Sequence, residues 1–156
     1  MNRRFKRETG RIPKVRPWQA ASFRWALSCL IVCCWTVSAA EFSSWSQVAG
    51  AIVARITMAE SLYQDGKSTE AGHAVIEAYF GIFEDRKMEA AMRTQLGATH
   101  TYQVEQQFGA LRKAIRQQAD RQTVGRLAQE IRESVVRDAR ALDQAKVPME
   151  VFEVKR

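Results

Sequence analysis

Four glutamates and one histidine in the middle of the chain have the types and spacing of a cation site. They are His73, Glu77, Glu84, Glu89 and Glu105. His73 lies four positions before Glu77 and Glu84 lies seven after it, so an α-helix would place these three side chains on one side. Carboxylate oxygens suit hard cations, and helical bundles build iron sites from carboxylates and histidines on facing helices. The spacing therefore predicts a metal site, with an iron ion as the candidate.

The same carboxylates also have an ordinary structural interpretation. Glu84 is followed closely by Arg86 and Lys87, and Glu105 shares its predicted helix with Arg112. Each carboxylate can therefore form a surface ion pair, as charged groups on helices commonly do. Both interpretations, metal ligands and solvated surface groups, stay open at the level of the sequence.

Motifs for other chemistries are missing from residues 41–156, which we call the body of the chain. The body has two histidines, His73 and His100, and it lacks HExxH, GxSxG and a glycine-rich phosphate loop. A catalytic triad or a multi-histidine zinc site needs more such residues. All three cysteines, Cys29, Cys33 and Cys34, precede the body, which excludes a disulfide framework or a CxxCH haem attachment there. We expect the protein not to be an enzyme.

The net charge of +7 belongs entirely to the N-terminal segment. Residues 1–40 contain eight basic residues and one acidic residue, whereas the body contains 16 of each kind. Binding to nucleic acid depends on a surplus of basic groups along one surface. The balanced body therefore predicts no nucleic-acid partner.

Residues 1–40 have the order of a secretory signal. A basic stretch reaching Arg24 is followed by an apolar run at residues 25–37 and by small residues at 38–40. The apolar run has 13 residues, fewer than the about 20 that cross a bilayer as a helix. We expect cleavage after Ala39 or Ala40, with an uncleaved membrane anchor as the alternative. In both cases the basic flank stays cytoplasmic, so the body is predicted to be periplasmic.

Apolar residues at steps of three and four predict an all-α body. A capping box at Ser44 should open a first helix over residues 45–64, and Gly66 suits the left-handed position after its end. Ser68 should cap a second helix that ends near Asp85. A short helix over residues 87–96 should follow.

Two further long helices complete the predicted domain. The fourth helix should begin between Thr99 and Tyr102, and the fifth should follow a polar break near Asp120 and be stopped by Pro148. We expect a four-helix up-and-down bundle with one extra short helix over residues 41–147, and a loosely held tail over 148–156. Four aromatic residues are predicted to lie in the core: Tyr79, Phe80, Phe83 and Phe108.

Several fixed spacings in the body occur together. Gly-Lys-x-x-x-Ala at residues 66–71 precedes Ala-Tyr-Phe-x-x-Phe-Glu at 78–84, and Met-Glu at 88–89 precedes Glu-x-x-Phe-x-x-Leu-Arg at 105–112. In this respect residues 46–118 resemble the extracytoplasmic N-terminal domain of the bacterial high-affinity iron permease family. The resemblance implies a periplasmic domain in iron uptake with a membrane iron permease component as its partner. The permease's Arg-Glu-x-x-Glu membrane motifs are missing here, so we expect an accessory part and not the channel.

Two functions follow from these observations. The first is an iron-handling accessory domain that binds or relays iron through helix carboxylates, or docks to the permease. The second is an exported helical scaffold for protein interaction with no role for a metal.

Overall fold

The computed structural model describes residues 42–150, and every regular element in that range is helical. The helices are α1 (Trp45–Gln64), α2 (Ser68–Ile76), α3 (Met88–Gln95), α4 (Ala98–Arg116) and α5 (Arg121–Gln144). A π-helical segment, Glu77–Glu84, continues α2 without a break. No strand occurs between residues 42 and 150, so the predicted all-α class is confirmed. The predicted signal or anchor segment and the end of the predicted tail lie outside the described residues.

Four of the helices surround one core. Helix α1 contacts α2 and α5, helix α4 also contacts α2 and α5, and α3 lies against α4 and the π segment. Every helix contributes fully buried apolar side chains, among them Ile52 and Ile56 from α1, Val75 from α2, Met92 from α3, Leu111 from α4 and Ile131 from α5. The seam between α2 and α4 therefore lies over a continuous apolar interior.

The C-terminal end of α5 holds the start of α1. Asp143 Oδ1 accepts a hydrogen bond from the Trp45 backbone N–H at 2.9 Å, and Asp143 Oδ2 accepts one from the Ser46 N–H at 3.0 Å. The buried Trp45 indole donates from Nε1 to the carbonyl of Val147 at 2.7 Å. Because the first N–H groups of a helix have no partner inside it, the Asp143 carboxylate satisfies two of them and opposes the positive end of the helix.

The first two helices are joined as the sequence predicts, with one difference. Gly66 has φ 79°, and the N–H groups of Gly66 and Lys67 donate to the carbonyls of Tyr63 and Leu62, which is a Schellman turn. Lys67, and not Ser68, is the residue that precedes α2, and no side chain caps this helix. The prediction that Ser68 is a cap was wrong because only three residues separate the helices and Ser68 is already the first residue of α2.

The ends of α4 and α5 are also stopped by left-handed residues. Gln118 has φ 54° and Lys146 has φ 53°, and the residue after each donates back into its helix as Lys67 does. Helix α5 therefore ends at Gln144, before Pro148, and the prediction that Pro148 stops it was wrong. The predicted start of α5 is confirmed, because the side chain of Asp120 accepts from the Thr123 N–H.

The π segment changes which side chains face the core. Ala78 and Phe83 are both fully buried although they are five positions apart, one more than the spacing of an α-turn. Phe83 packs against Phe108 with ring centres 5.5 Å apart, and the half-buried Tyr79 lies beside both rings. Phe80 is 52% exposed, so its prediction as a core residue was wrong.

The turn after α1 generates a first stability prediction. Gly66→Ala should destabilise the fold by about 1 kcal/mol because an L side chain is disfavoured at positive φ. Gly50→Ala is the matched control: Gly50 lies inside α1 with open space around its Cα, so alanine should stabilise the fold by about 1 kcal/mol. Urea unfolding measures the change in the free energy of unfolding for each variant. Equal changes in the two variants would contradict the left-handed conformation assigned to Gly66.

The bond between α5 and α1 generates a second prediction. Asp143→Ala should cost about 1 to 2 kcal/mol because it leaves the first N–H groups of α1 without a partner. Asp65→Ala, at an exposed aspartate, serves as the control and should change the free energy of unfolding by less than about 0.5 kcal/mol. If Asp143→Ala lowers the free energy of unfolding no more than Asp65→Ala does, the hydrogen bonds from Asp143 do not hold the start of α1.

Candidate binding groove

The five residues predicted to bind a metal point to different parts of the fold. His73 is exposed beside Arg112 and Arg116. Glu77 forms an ion pair with Arg55 of α1 at 3.1 Å. The remaining three, Glu84, Glu89 and Glu105, lie near the Tyr79 hydroxyl. Glu77 and Glu84 therefore contact different elements, because the π segment between them breaks the α-helical spacing on which their shared side was predicted.

Arg93 binds two of the three glutamates near Tyr79. Its guanidinium Nη2 contacts Glu89 Oε1 and also lies 3.0 Å from Glu105 Oε1. Both carboxylates are half-buried, and a positive group between them balances their repulsion. Within residues 42–150, no group of three or more histidine, cysteine or acidic side chains is arranged to hold a metal ion.

Tyr79 connects this acidic cluster to the core. Burial raises the pKa of its phenol well above the usual tyrosine value, and a hydrogen bond to Glu84 raises it further. The negative charges of Glu84, Glu105 and Glu89 act in the same direction. Tyr79 and Glu84 are five positions apart and can meet because the helix between them is a π-helix.

An apolar cavity lies between the π segment and α4, next to Tyr79. Its volume is about 130 Å³. The exposed ring of Phe80 stands at its edge, and Phe108 lines it from α4. The remaining lining residues are Val75, Ile76, Tyr79, Glu105, Gly109 and Arg112.

A larger cleft with a mixed polar and apolar lining continues from this cavity along α2. Its volume is about 310 Å³, and Ile76 and Arg112 line both spaces. Arg116 and His73 add two further nitrogen-bearing side chains. We call the cavity and the cleft together the α2/α4 groove, which is apolar beside Phe80 and cationic beside Arg116.

Gly109 leaves the apolar part of the groove open. A glycine inside a helix costs about 1 kcal/mol relative to alanine. At Gly109 an added Cβ would meet no atom within 4 Å, so packing within the described chain does not require a glycine there. The missing side chain widens the space between α4 and Phe80.

The groove was not predicted from the sequence, although two signals for it were present. Phe80 was predicted to be a core residue together with the neighbouring aromatic residues, and it is instead exposed at the edge of the cavity. Arg112 and Arg116 lie four positions apart on α4 and so share one side of the helix, a spacing that is readable from the sequence.

No protein-family model, curated protein or solved structure matches this chain. Between residues 42 and 150, no helix has the length and apolar character needed to cross a membrane.

The environment of Tyr79 generates a third prediction. Its raised pKa contributes stability that is present below the ordinary tyrosine pKa of about 10 and is lost as pH rises above it, because the unfolded chain then releases a proton that the fold retains. Tyr79→Phe should therefore lose less stability than the original protein between about pH 9 and pH 11.5.

Tyr102→Phe is the control for this measurement, because Tyr102 is 57% exposed. Urea unfolding across the pH range measures the slopes, and absorbance at 295 nm follows phenol ionisation directly. If Tyr79→Phe and the original protein lose stability equally, Tyr79 does not have the environment described.

Proposed function

We propose that this chain is an exported, non-catalytic helical binding module that docks on a membrane partner through the α2/α4 groove. The observation that carries the proposal is the exposed Phe80 ring beside an apolar cavity that leads into a cleft lined by Arg112 and Arg116. Aromatic and arginine side chains around a pocket are typical of the residues that dominate binding energy in protein interfaces.

The proposed architecture is an up-and-down bundle, which would present the groove on a rigid surface. The start of α1 meets the end of α5 through Asp143, and Tyr63 near the end of α1 donates to the Ala119 carbonyl just before α5. Contacts of this kind at both ends support an antiparallel pair.

The leader and the family resemblance support the location and the partner. Basic, apolar and small residues in that order are typical of an export signal, which would deliver the body to the periplasm. The spacings shared with the iron permease domain favour a membrane iron permease component as the partner. In this proposal the body is the accessory part and the partner forms the channel.

Iron handling is a second candidate function, supported by the acidic cluster. Glu84, Glu89 and Glu105 lie near the Tyr79 phenol, and oxygen donors of this kind suit hard cations, so a rearrangement that brings the three carboxylates closer together would be needed to hold an ion. Arg93 now neutralises two of the carboxylates. An incoming cation would therefore have to displace the Arg93 guanidinium, which would make binding weak unless the partner moves that side chain.

Docking through the groove generates a fourth prediction. Membranes from the native host should yield a protein with Arg-Glu-x-x-Glu helices when the original chain or Gly50→Leu is the bait. Gly109→Leu should not recover it, because leucine fills the apolar cavity. Gly50 and Gly109 are both helical, exposed and without a Cβ contact, so the two variants are matched. Equal recovery by all three baits would reject the groove as the docking site.

Iron binding has its own test. If the acidic cluster binds iron, Glu105→Gln should weaken binding of ferric ion by at least about tenfold, and Arg93→Gln should strengthen it by freeing two carboxylates. Glu133→Gln, at an exposed glutamate on α5, is the control. An iron titration with no response to Arg93→Gln or Glu105→Gln would reject the cluster as an iron site.

A further inference from the structure

We propose that the occupant of the α2/α4 groove is an acidic peptide segment of the partner that carries one large apolar side chain. This inference rests on the proposed docking function and names the chemistry of the segment that docks. Three observations support it: the size of the apolar cavity, the length of the cleft, and two arginines beside the cavity that form no ion pair with residues 42–150.

The apolar cavity has room for one side chain. Its volume is about 130 Å³, and an apolar protein cavity of about 150 Å³ can hold a benzene molecule. Phe80 and Phe108 offer ring surfaces on two sides of this space. An aromatic or a branched aliphatic side chain therefore fits, whereas a long acyl chain would need a larger apolar volume.

The cationic cleft is complementary to negative charge. Several arginines of the fold pair with carboxylates, for example Arg55 with Glu77 and Arg132 with Glu60 at 2.7 Å. By contrast, no carboxylate between residues 42 and 150 lies within 4.0 Å of the guanidinium of Arg112 or Arg116. Guanidinium groups bind carboxylates through paired hydrogen bonds, so acidic side chains are the complementary groups.

The position of Arg112 links the two parts of the groove. It lines both the apolar cavity and the cationic cleft, so the apolar group and the nearest carboxylate of the occupant must be neighbours. The cleft then follows the nine residues of α2, which extend for about 13 Å. About four residues of extended peptide cover that length. A short acidic segment with an apolar residue at one end satisfies all three constraints.

The test uses labelled pentapeptides and the exported protein as it is purified from the periplasm. One peptide has tryptophan followed by four glutamates, the second has alanine in place of tryptophan, and the third has lysines in place of the glutamates. Fluorescence anisotropy should show that the tryptophan–glutamate peptide binds at least about tenfold more tightly than either of the others.

Variants then locate the binding. Gly109→Leu should lower the affinity for the tryptophan–glutamate peptide by at least about tenfold, and Gly50→Leu should leave that affinity unchanged. The double variant Arg112→Glu and Arg116→Glu should reverse the preference toward the lysine peptide, because the sign of the cleft is reversed. Arg140→Glu, at an exposed arginine of α5, is the charge control and should change nothing.

The outcomes separate this inference from the docking proposal. One outcome is that the acidic and basic tryptophan peptides bind equally well, with both lost in Gly109→Leu. That result would reject the acidic character of the occupant and leave the docking proposal standing. Binding of a fluorescent fatty acid that Gly109→Leu abolishes, with no peptide binding, would overturn it in favour of an acyl ligand. Membrane recovery through the groove together with failure of the acidic peptide would also overturn it, since the partner would then use other chemistry.

Discussion

The attachment of α1 to α5 is the constraint on which the rest of the fold depends. Asp143 binds the first N–H groups of α1, Arg132 binds Glu60 further along, and Tyr63 binds the carbonyl of Ala119 at the opposite end. Helix α1 also packs against α2, and α5 packs against α4, so the α1/α5 pair supports both helices that line the groove. Direct contact between α2 and α4 completes this arrangement.

The helices were predictable from local signals, whereas the groove was not. Helix α1 begins and ends where the apolar spacing, the Ser44 cap and Gly66 predict, since each of these signals acts within a few residues. The shared side of Glu77 and Glu84 was derived from an α-helical period, which the π segment does not follow. The helical period changes from α to π in the segment that buries Phe83. Phe83 packs there against Phe108, which lies 25 positions away in the sequence, so the change is not readable from local signals.

Charge is distributed unevenly over a body whose total charge is balanced. The nearly buried carboxylate of Asp138 is paired with His100 Nε2 at 2.9 Å, and Arg93 binds Glu89 and Glu105. These contacts give the buried and half-buried carboxylates hydrogen-bond partners, without which their burial would be costly. With its acids matched in this way, the body has surplus positive charge beside the groove, at Arg112 and Arg116. A zero net charge is therefore compatible with a local positive potential at this surface.

The π segment links these features. In a continuous α-helix, Phe83 would lie away from Ala78 and Tyr79 would lie away from Glu84, because both pairs are five positions apart. The π-turns bring each pair together, so one change of helical period buries Phe83 and gives the Tyr79 phenol its carboxylate partner. Segments of this kind are rare and occur frequently at functional sites. Here the burial of Phe83 and the contact of Tyr79 with Glu84 are contributions of the π segment to the stability of the fold, while the exposed Phe80 ring packs edge-to-face on Tyr79 with ring centres 4.8 Å apart.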